Sequence, residues 1–130
     1  MKVLVVCATD YPDMDEVRKR LEVGTKRDGV TTLIRKGDRK LKTILEDLSA
    51  DYKVYTPPED WHDYNRTGDA YNANAANDAD LIIVYHTPKS GVTSFFVKRA
   101  PLARALGARV EIIEKKSRVV HTRKGRKPDA

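Results

Sequence analysis

Two short runs, KVLVVCA at residues 2–8 and LIIVY at residues 81–85, are apolar at every position except the opening lysine. A strand with one wet face alternates polar and apolar residues. An unbroken apolar run belongs to a strand covered on both faces, which is the habit of parallel sheets lying between helices. These two runs therefore set the expectation for the rest of the chain, which must supply helices to cover them.

Between and after them, helical and extended patterns alternate. Asp13 precedes Met14 and stands three before Glu16, an N-cap followed by an acid at the third helical position. Met14, Val17 and Leu21 recur at helical spacing, which predicts a helix over 13–27 ended by Gly29. Thr31 to Arg35 reads as a short strand. Leu41, Ile44, Leu45 and Leu48 form one apolar stripe, with Asp38 as its cap. Lys53 to Thr56 reads as a strand stopped by Pro57-Pro58, and the alanine- and asparagine-rich stretch 70–79 as a helix. A helix follows over 92–106, where Pro101 is expected to kink or interrupt it, and Arg109 to Ile113 closes the pattern as a strand. This β-α-β-α-β-loop-α-β-α-β order predicts an α/β fold in three layers, a mainly parallel five-stranded sheet with helices on both faces.

Charge divides the chain. Residues 1–114 carry 18 Lys and Arg against 18 Asp and Glu, whereas residues 115–130 carry seven basic residues against Asp129 alone. The expected organisation is a folded domain over 1–114 and a flexible basic tail over 115–130. Lys115, Lys116, Arg118, Arg123, Lys124, Arg126 and Lys127 are its candidate contacts to nucleic acid. The single cysteine, Cys7, excludes an internal disulfide and a thiolate metal cluster, and its place in an apolar strand reads as a small buried hydrophobe. No apolar run reaches membrane-spanning length and the first residues lack a secretory h-region, so a cytoplasmic protein is expected, with no membrane partner. His121 has no Cys or His nearby, and no metal or cofactor is expected.

In a parallel α/β fold the turns after successive strands gather on one rim, at the carboxyl ends of the strands, where ligands bind. Here the turns after the first, second and fourth strands read CATDYPD, RKGDRK and HTPKSGVTS, and each leads into a helix start. The loop after the third strand carries Trp61 and Tyr64, rings able to stack on a base. Adjacent His62 and Asp63 are not expected to act as an acid–base pair.

With those turns in view, residues 3–114 resemble the YspA-like branch of the SLOG family, Rossmann-like domains related to the lysine-decarboxylase-like LOG proteins and to DprA. Asp10-Tyr11 stands where that branch has Gly-x-Arg-Asp-Tyr, with Cys7 and Thr9 in place of the glycine and arginine. Leu33-Ile34, Gly37 and Arg39 fit Leu-Ile-His-Gly-Gly-Ala-Arg-Gly-Ala-Asp, with Lys36, Lys40 and Lys42 replacing its first and third glycines and its aspartate. Asp60-Trp61 matches an Asp-Trp loop, and Asn72 the asparagine of an Arg-Asn pair whose arginine is here Tyr71. Asp80 to Tyr85, Pro88 and Gly91 resemble the strand and the Pro-Gly-Gly-x-Gly-Thr turn, with Lys89 and Ser90 at intervening glycine positions.

The resemblance implies a Rossmann-like domain that binds a nucleotide or nucleotide-derived small molecule, a sensor or a bacterial or phage accessory protein. Asp10, Gly37, Arg39, Trp61, Asn72, Lys89, Ser90, Gly91 and Thr93 are the expected ligand residues. Gly91, Ser90 and Thr93 would offer donors to phosphate, Arg39 and Lys89 charge, Trp61 a stacking face, and Asp10 and Asn72 bonds to a sugar or base edge. Enzymatic relatives carry an acid in the helix after the glycine-rich turn, and Val92 to Leu106 contains no Asp or Glu, so robust catalysis is not expected. Two alternatives stand beside this. One is a DprA-like nucleic-acid-binding accessory protein using the tail. The other is an enzyme of nucleotide N-glycosidic bonds using Asp10 or Asp69. Relatives self-associate, so a homo-oligomer is also open.

Overall fold

A computed structural model of the chain describes residues 1–56 and 68–116. Five strands, β1 (Lys2–Cys7), β2 (Thr31–Ile34), β3 (Lys53–Val54), β4 (Leu81–His86) and β5 (Arg109–Glu114), form one sheet in the order β3-β2-β1-β4-β5. Every pairing is parallel. Four helices, α1 (Met14–Gly24), α2 (Arg39–Asp47), α3 (Gly68–Asp78) and α4 (Gly91–Ala105), connect the strands. The expected three-layer, Rossmann-like α/β fold is the fold observed.

The period of two along each strand sorts its side chains between two cores. Val3, Val5 and Cys7 of β1 and Leu81, Ile83 and Tyr85 of β4 pack with Val17 and Leu21 of α1 and Leu41 and Leu45 of α2. Leu4 and Val6, with Ile82 and Val84, face the opposite layer, against Ala75 and Ala76 of α3 and Phe96 and Ala103 of α4. This is why the two central strands read as unbroken apolar runs: β4 is buried at all six positions and β1 at all but Lys2. The edge strands differ. Both residues of β3 are exposed, and no position of β5 is fully buried.

Three boundaries depart from the sequence reading. Helix α1 stops at Gly24 rather than running on toward Gly29: after Thr25 the N–H groups of Lys26 and Arg27 bond the carbonyls three residues back, Val23 and Gly24, at 3.3 Å, which tightens the chain out of the α-helix. The third strand pairs over two residues rather than four. Pro101 does not interrupt α4, which continues through it to Ala105. Proline sits there on the exposed face, where water can take the carbonyl that its missing N–H leaves unserved. Among the described residues no helix is long and apolar enough to cross a membrane.

Candidate functional site

The chain leaves β1 toward β2 and β3 on one side of the sheet, then returns to lay β4 and β5 on the other. At the carboxyl ends of β1 and β4 the connections diverge, which opens a crevice. The turns around it are tightly closed. Tyr11 N–H bonds the Ala8 carbonyl at 3.1 Å, Asp38 N–H the Arg35 carbonyl at 3.2 Å, and Ser90 N–H the Thr87 carbonyl at 3.1 Å. The left-handed φ of +85° at Gly37 completes the second turn. Thr87 donates its hydroxyl to Asp10 Oδ1 at 2.5 Å, tying the β1 turn to the β4 turn.

Beside that tie lies a cleft of about 380 Å³, lined by the end of β1, the start of α2 and the start of α4. Both helices present unfilled N-termini to it. Asp38 caps α2 by accepting from Leu41 N–H at 3.2 Å, and Ser90 caps α4 by accepting from Thr93 N–H at 3.1 Å. The N–H groups of Arg39, Lys40, Gly91 and Val92 are left without an acceptor among the described residues. Neither first turn contains an acid, whereas α1 has Asp15 and Glu16 and α3 has Asp69. The positive end of α4 therefore meets no acid in its cap or first turn, and that of α2 is countered by its cap, Asp38.

Side-chain charge reinforces this. Arg35, Arg39, Lys40 and Lys89 line the cleft against one carboxylate, Asp38. Burial raises Asp38 above the usual carboxylate range, opposed by its bond from Leu41 N–H and by Arg35 and Lys40. The ammonium of Lys40 donates to the Thr9 carbonyl and leans over the β1 turn. Cys7 contributes to the cleft wall, but burial pushes its thiol up to about 12, so it stays protonated and unreactive at neutral pH. The arrangement can hold a multiply charged anion by backbone N–H groups and mobile cations together. It contains no thiolate nucleophile.

No protein-family model, curated protein or solved structure matches this chain.

Of the residues expected from sequence, the fold brings Gly37, Arg39, Lys89, Ser90 and Gly91 onto one cleft. Thr93 is a correction. It is fully buried, its hydroxyl lies 2.8 Å from His86 Nδ1 and its N–H serves Ser90, so it faces the core and offers nothing to a ligand. Ser90 lines the cleft; its N–H bonds the Thr87 carbonyl and its hydroxyl oxygen accepts from Thr93 N–H, which leaves the hydroxyl proton as a donor beside the N–H groups of Gly91 and Val92. Asp10 stands on the same rim with its carboxylate engaged by Thr87. Asn72, on α3 and 3% exposed, lies behind the cleft and accepts from Arg35 Nε at 2.6 Å. Trp61, with Asp60 and Tyr64, lies outside the described residues.

Of the tail residues, Lys115 and Lys116 are described. Lys115 is held to the body: its ammonium is 3.1 Å from Asp13 Oδ2 and 3.2 Å from Glu16 Oε1, and its N–H bonds the His86 carbonyl at 3.0 Å. Arg118, Arg123, Lys124, Arg126 and Lys127 lie outside the described residues.

The sequence reading placed Arg35 at the end of a strand and in the rim turn RKGDRK, but did not count it among the ligand residues. Parity was the available signal. Ile34 packs toward α1 and α2, so the next residue must turn toward α3 and α4, where Asn72 receives it.

Proposed function

We propose that this protein binds a nucleotide or nucleotide-derived small molecule through its phosphates, in the cleft between the starts of α2 and α4. One observation carries the reading: the starts of two helices, whose first N–H groups have no acceptor among the described residues, and four cationic side chains converge on a single cleft at the sheet's switch point. The resemblance to YspA-like SLOG domains supports the nucleotide part, and under it the protein acts as a sensor or accessory factor. Binding is favoured over turnover because α4 contains no Asp or Glu, the residue type that enzymatic relatives carry in that helix.

Thermal-shift titration against AMP, ADP, cyclic nucleotides and ADP-ribose tests this. A ligand at 100 times its dissociation constant stabilises the fold by about 2.7 kcal/mol, a rise of several degrees for a domain of this size. If none of these compounds moves the melting temperature at millimolar concentration, the nucleotide reading is wrong.

A second reading, nucleic-acid binding, has its own observation. Lys115 is fastened beside His86, so the basic segment that follows starts from the end of β5, on the same carboxyl-end rim of the sheet as the cleft. Truncation after Lys116 should abolish salt-dependent shifts of single-stranded DNA if this reading holds.

A further inference from the structure

Arg35 is fixed in a way that the other cations of the cleft are not. Its Nε donates to Asn72 Oδ1 at 2.6 Å, and its guanidinium carbon lies 5.8 Å from the centre of the Tyr71 ring. The Tyr71 hydroxyl accepts from the N–H of the next residue, Lys36, at 2.9 Å and donates to the Tyr55 carbonyl at 2.7 Å. Backbone and side chain at the end of β2 are thus both anchored, through buried Tyr71 and Asn72, to α3. The two terminal nitrogens of Arg35 have no acceptor among the described residues, and the residue lines the cleft.

A guanidinium held by Nε and by one face presents its terminal pair of N–H groups as a fork whose spacing matches two oxygens of one phosphoryl group. Because the side chain is already ordered, little rotamer entropy remains to be lost on binding. Arg39 and Lys89, in contrast, are exposed and make no side-chain bond to a described residue, so they act as mobile countercharges.

We propose that Arg35 is the fixed phosphate-recognising group of the cleft, positioned by Asn72 and Tyr71, and that the ligand carries two adjacent phosphates, as a nucleoside diphosphate does. Charge argues for the second phosphate. Among the described residues four cations and one carboxylate line the cleft, whereas a single phosphate monoester brings only about −1.5 to −2. The free N–H groups also come in two pairs, one at each helix start. This assignment rests on the nucleotide reading above, and the experiment separates the two.

Isothermal titration of the full chain with ADP, AMP and inorganic pyrophosphate is the test, repeated on Arg35→Lys and Lys89→Ala. The expectation is that ADP binds roughly tenfold or more tighter than AMP. Arg35→Lys, which keeps the charge but loses the fork, should weaken ADP and pyrophosphate by about tenfold or more, and Lys89→Ala should weaken them less. Arg35→Lys binding ADP within about twofold of wild type overturns the anchor, and AMP binding as tightly as ADP overturns the diphosphate. Pyrophosphate binding that is weakened by Arg35→Lys, with no nucleotide bound, keeps the anchor and removes the nucleotide reading. No binding of ADP or pyrophosphate removes both. Should Arg35→Lys fail to fold, the arginine Nε–H resonance of the wild-type protein decides: ADP must shift it, and an unmoved signal at saturation overturns the proposal. The positioning role requires that Asn72→Ala broaden that resonance, through faster exchange with water, before any ligand is added.

Discussion

The hydroxyl of Thr87 meets Oδ1 of Asp10 at 2.5 Å, and Thr87 is wholly buried at the point where the turns leaving β1 and β4 come together. This bond closes the crevice between the two strand ends on one side. The cleft lies toward α2, where Arg35 and Gly37 to Lys40 form part of its wall.

Replacing Thr87 with valine keeps the volume and removes the donor. The Asp10 carboxylate then loses a charge-assisted bond, and the fold should be destabilised by about 1.5–3 kcal/mol. Asp10→Asn retains an acceptor and should cost less. Urea denaturation checks this: the midpoint falls for Thr87→Val with the slope unchanged.

Gly37 holds a φ of +85°, and a Cβ built there meets nothing within 4 Å. The penalty for alanine is therefore purely conformational, about 1 kcal/mol or more, with no clash to relieve. A Gly37→Asn variant should recover part of the loss, because asparagine tolerates that region better. Thermal unfolding of the two variants side by side decides the point.

The cations of the cleft differ in tether, so their removal should differ in salt dependence. Lys89 is exposed and unbonded to the described residues. Lys89→Ala should leave the melting temperature within about a degree of wild type. Its effect on anion affinity should shrink as salt rises, since exposed charges are screened over about 10 Å at 0.1 M. Titrations at low and high ionic strength measure it, and an effect independent of salt would contradict the assignment.

Alkaline pH should destabilise the fold through one cluster. Burial pushes Cys7 from 9.0 to about 12 and Tyr85 from 10.0 to about 12, and raises Tyr11, which also donates to Glu16 at 2.7 Å. Tyr11 and Tyr85 touch edge to face at 5.2 Å. The folded chain holds these protons more tightly than the unfolded chain does. Their contribution is therefore intact below the unfolded values and is lost as pH rises through the folded ones. Melting temperature should be flat up to pH of about 9 and fall above it. Cys7→Ala should remove part of that slope whatever its effect at neutral pH.

Much of the scaffold was legible because its signals are local. The unbroken runs at 2–8 and 81–85 announced strands covered on both faces, and Asp13 and Asp38 both cap as expected, accepting from Glu16 and Leu41 N–H at 3.1 and 3.2 Å. The start of α4 was read one residue late, at Val92, and its cap, Ser90 accepting from Thr93 N–H, was read as a ligand residue instead. Edges were less legible. Lys53–Val54 has a neighbour on one side only, and where a strand stops pairing there depends on that neighbour's length.

The site divides along the same line. Sequence alone determined which turns lie together, because a parallel sheet with right-handed crossovers leaves no freedom in which strand ends share a rim. It could not determine which side chains on that rim remain available. Thr93 and Ser90 carry hydroxyls that suit a phosphate, yet Thr93 is turned into the core against His86, while Ser90 accepts from a helix N–H and keeps only its proton to offer. Arg35, absent from the expected ligand residues, is held at the cleft by Asn72, a residue 37 positions away. Those outcomes depend on competition among partners that are distant in the chain, and only packing brings such partners within bonding distance.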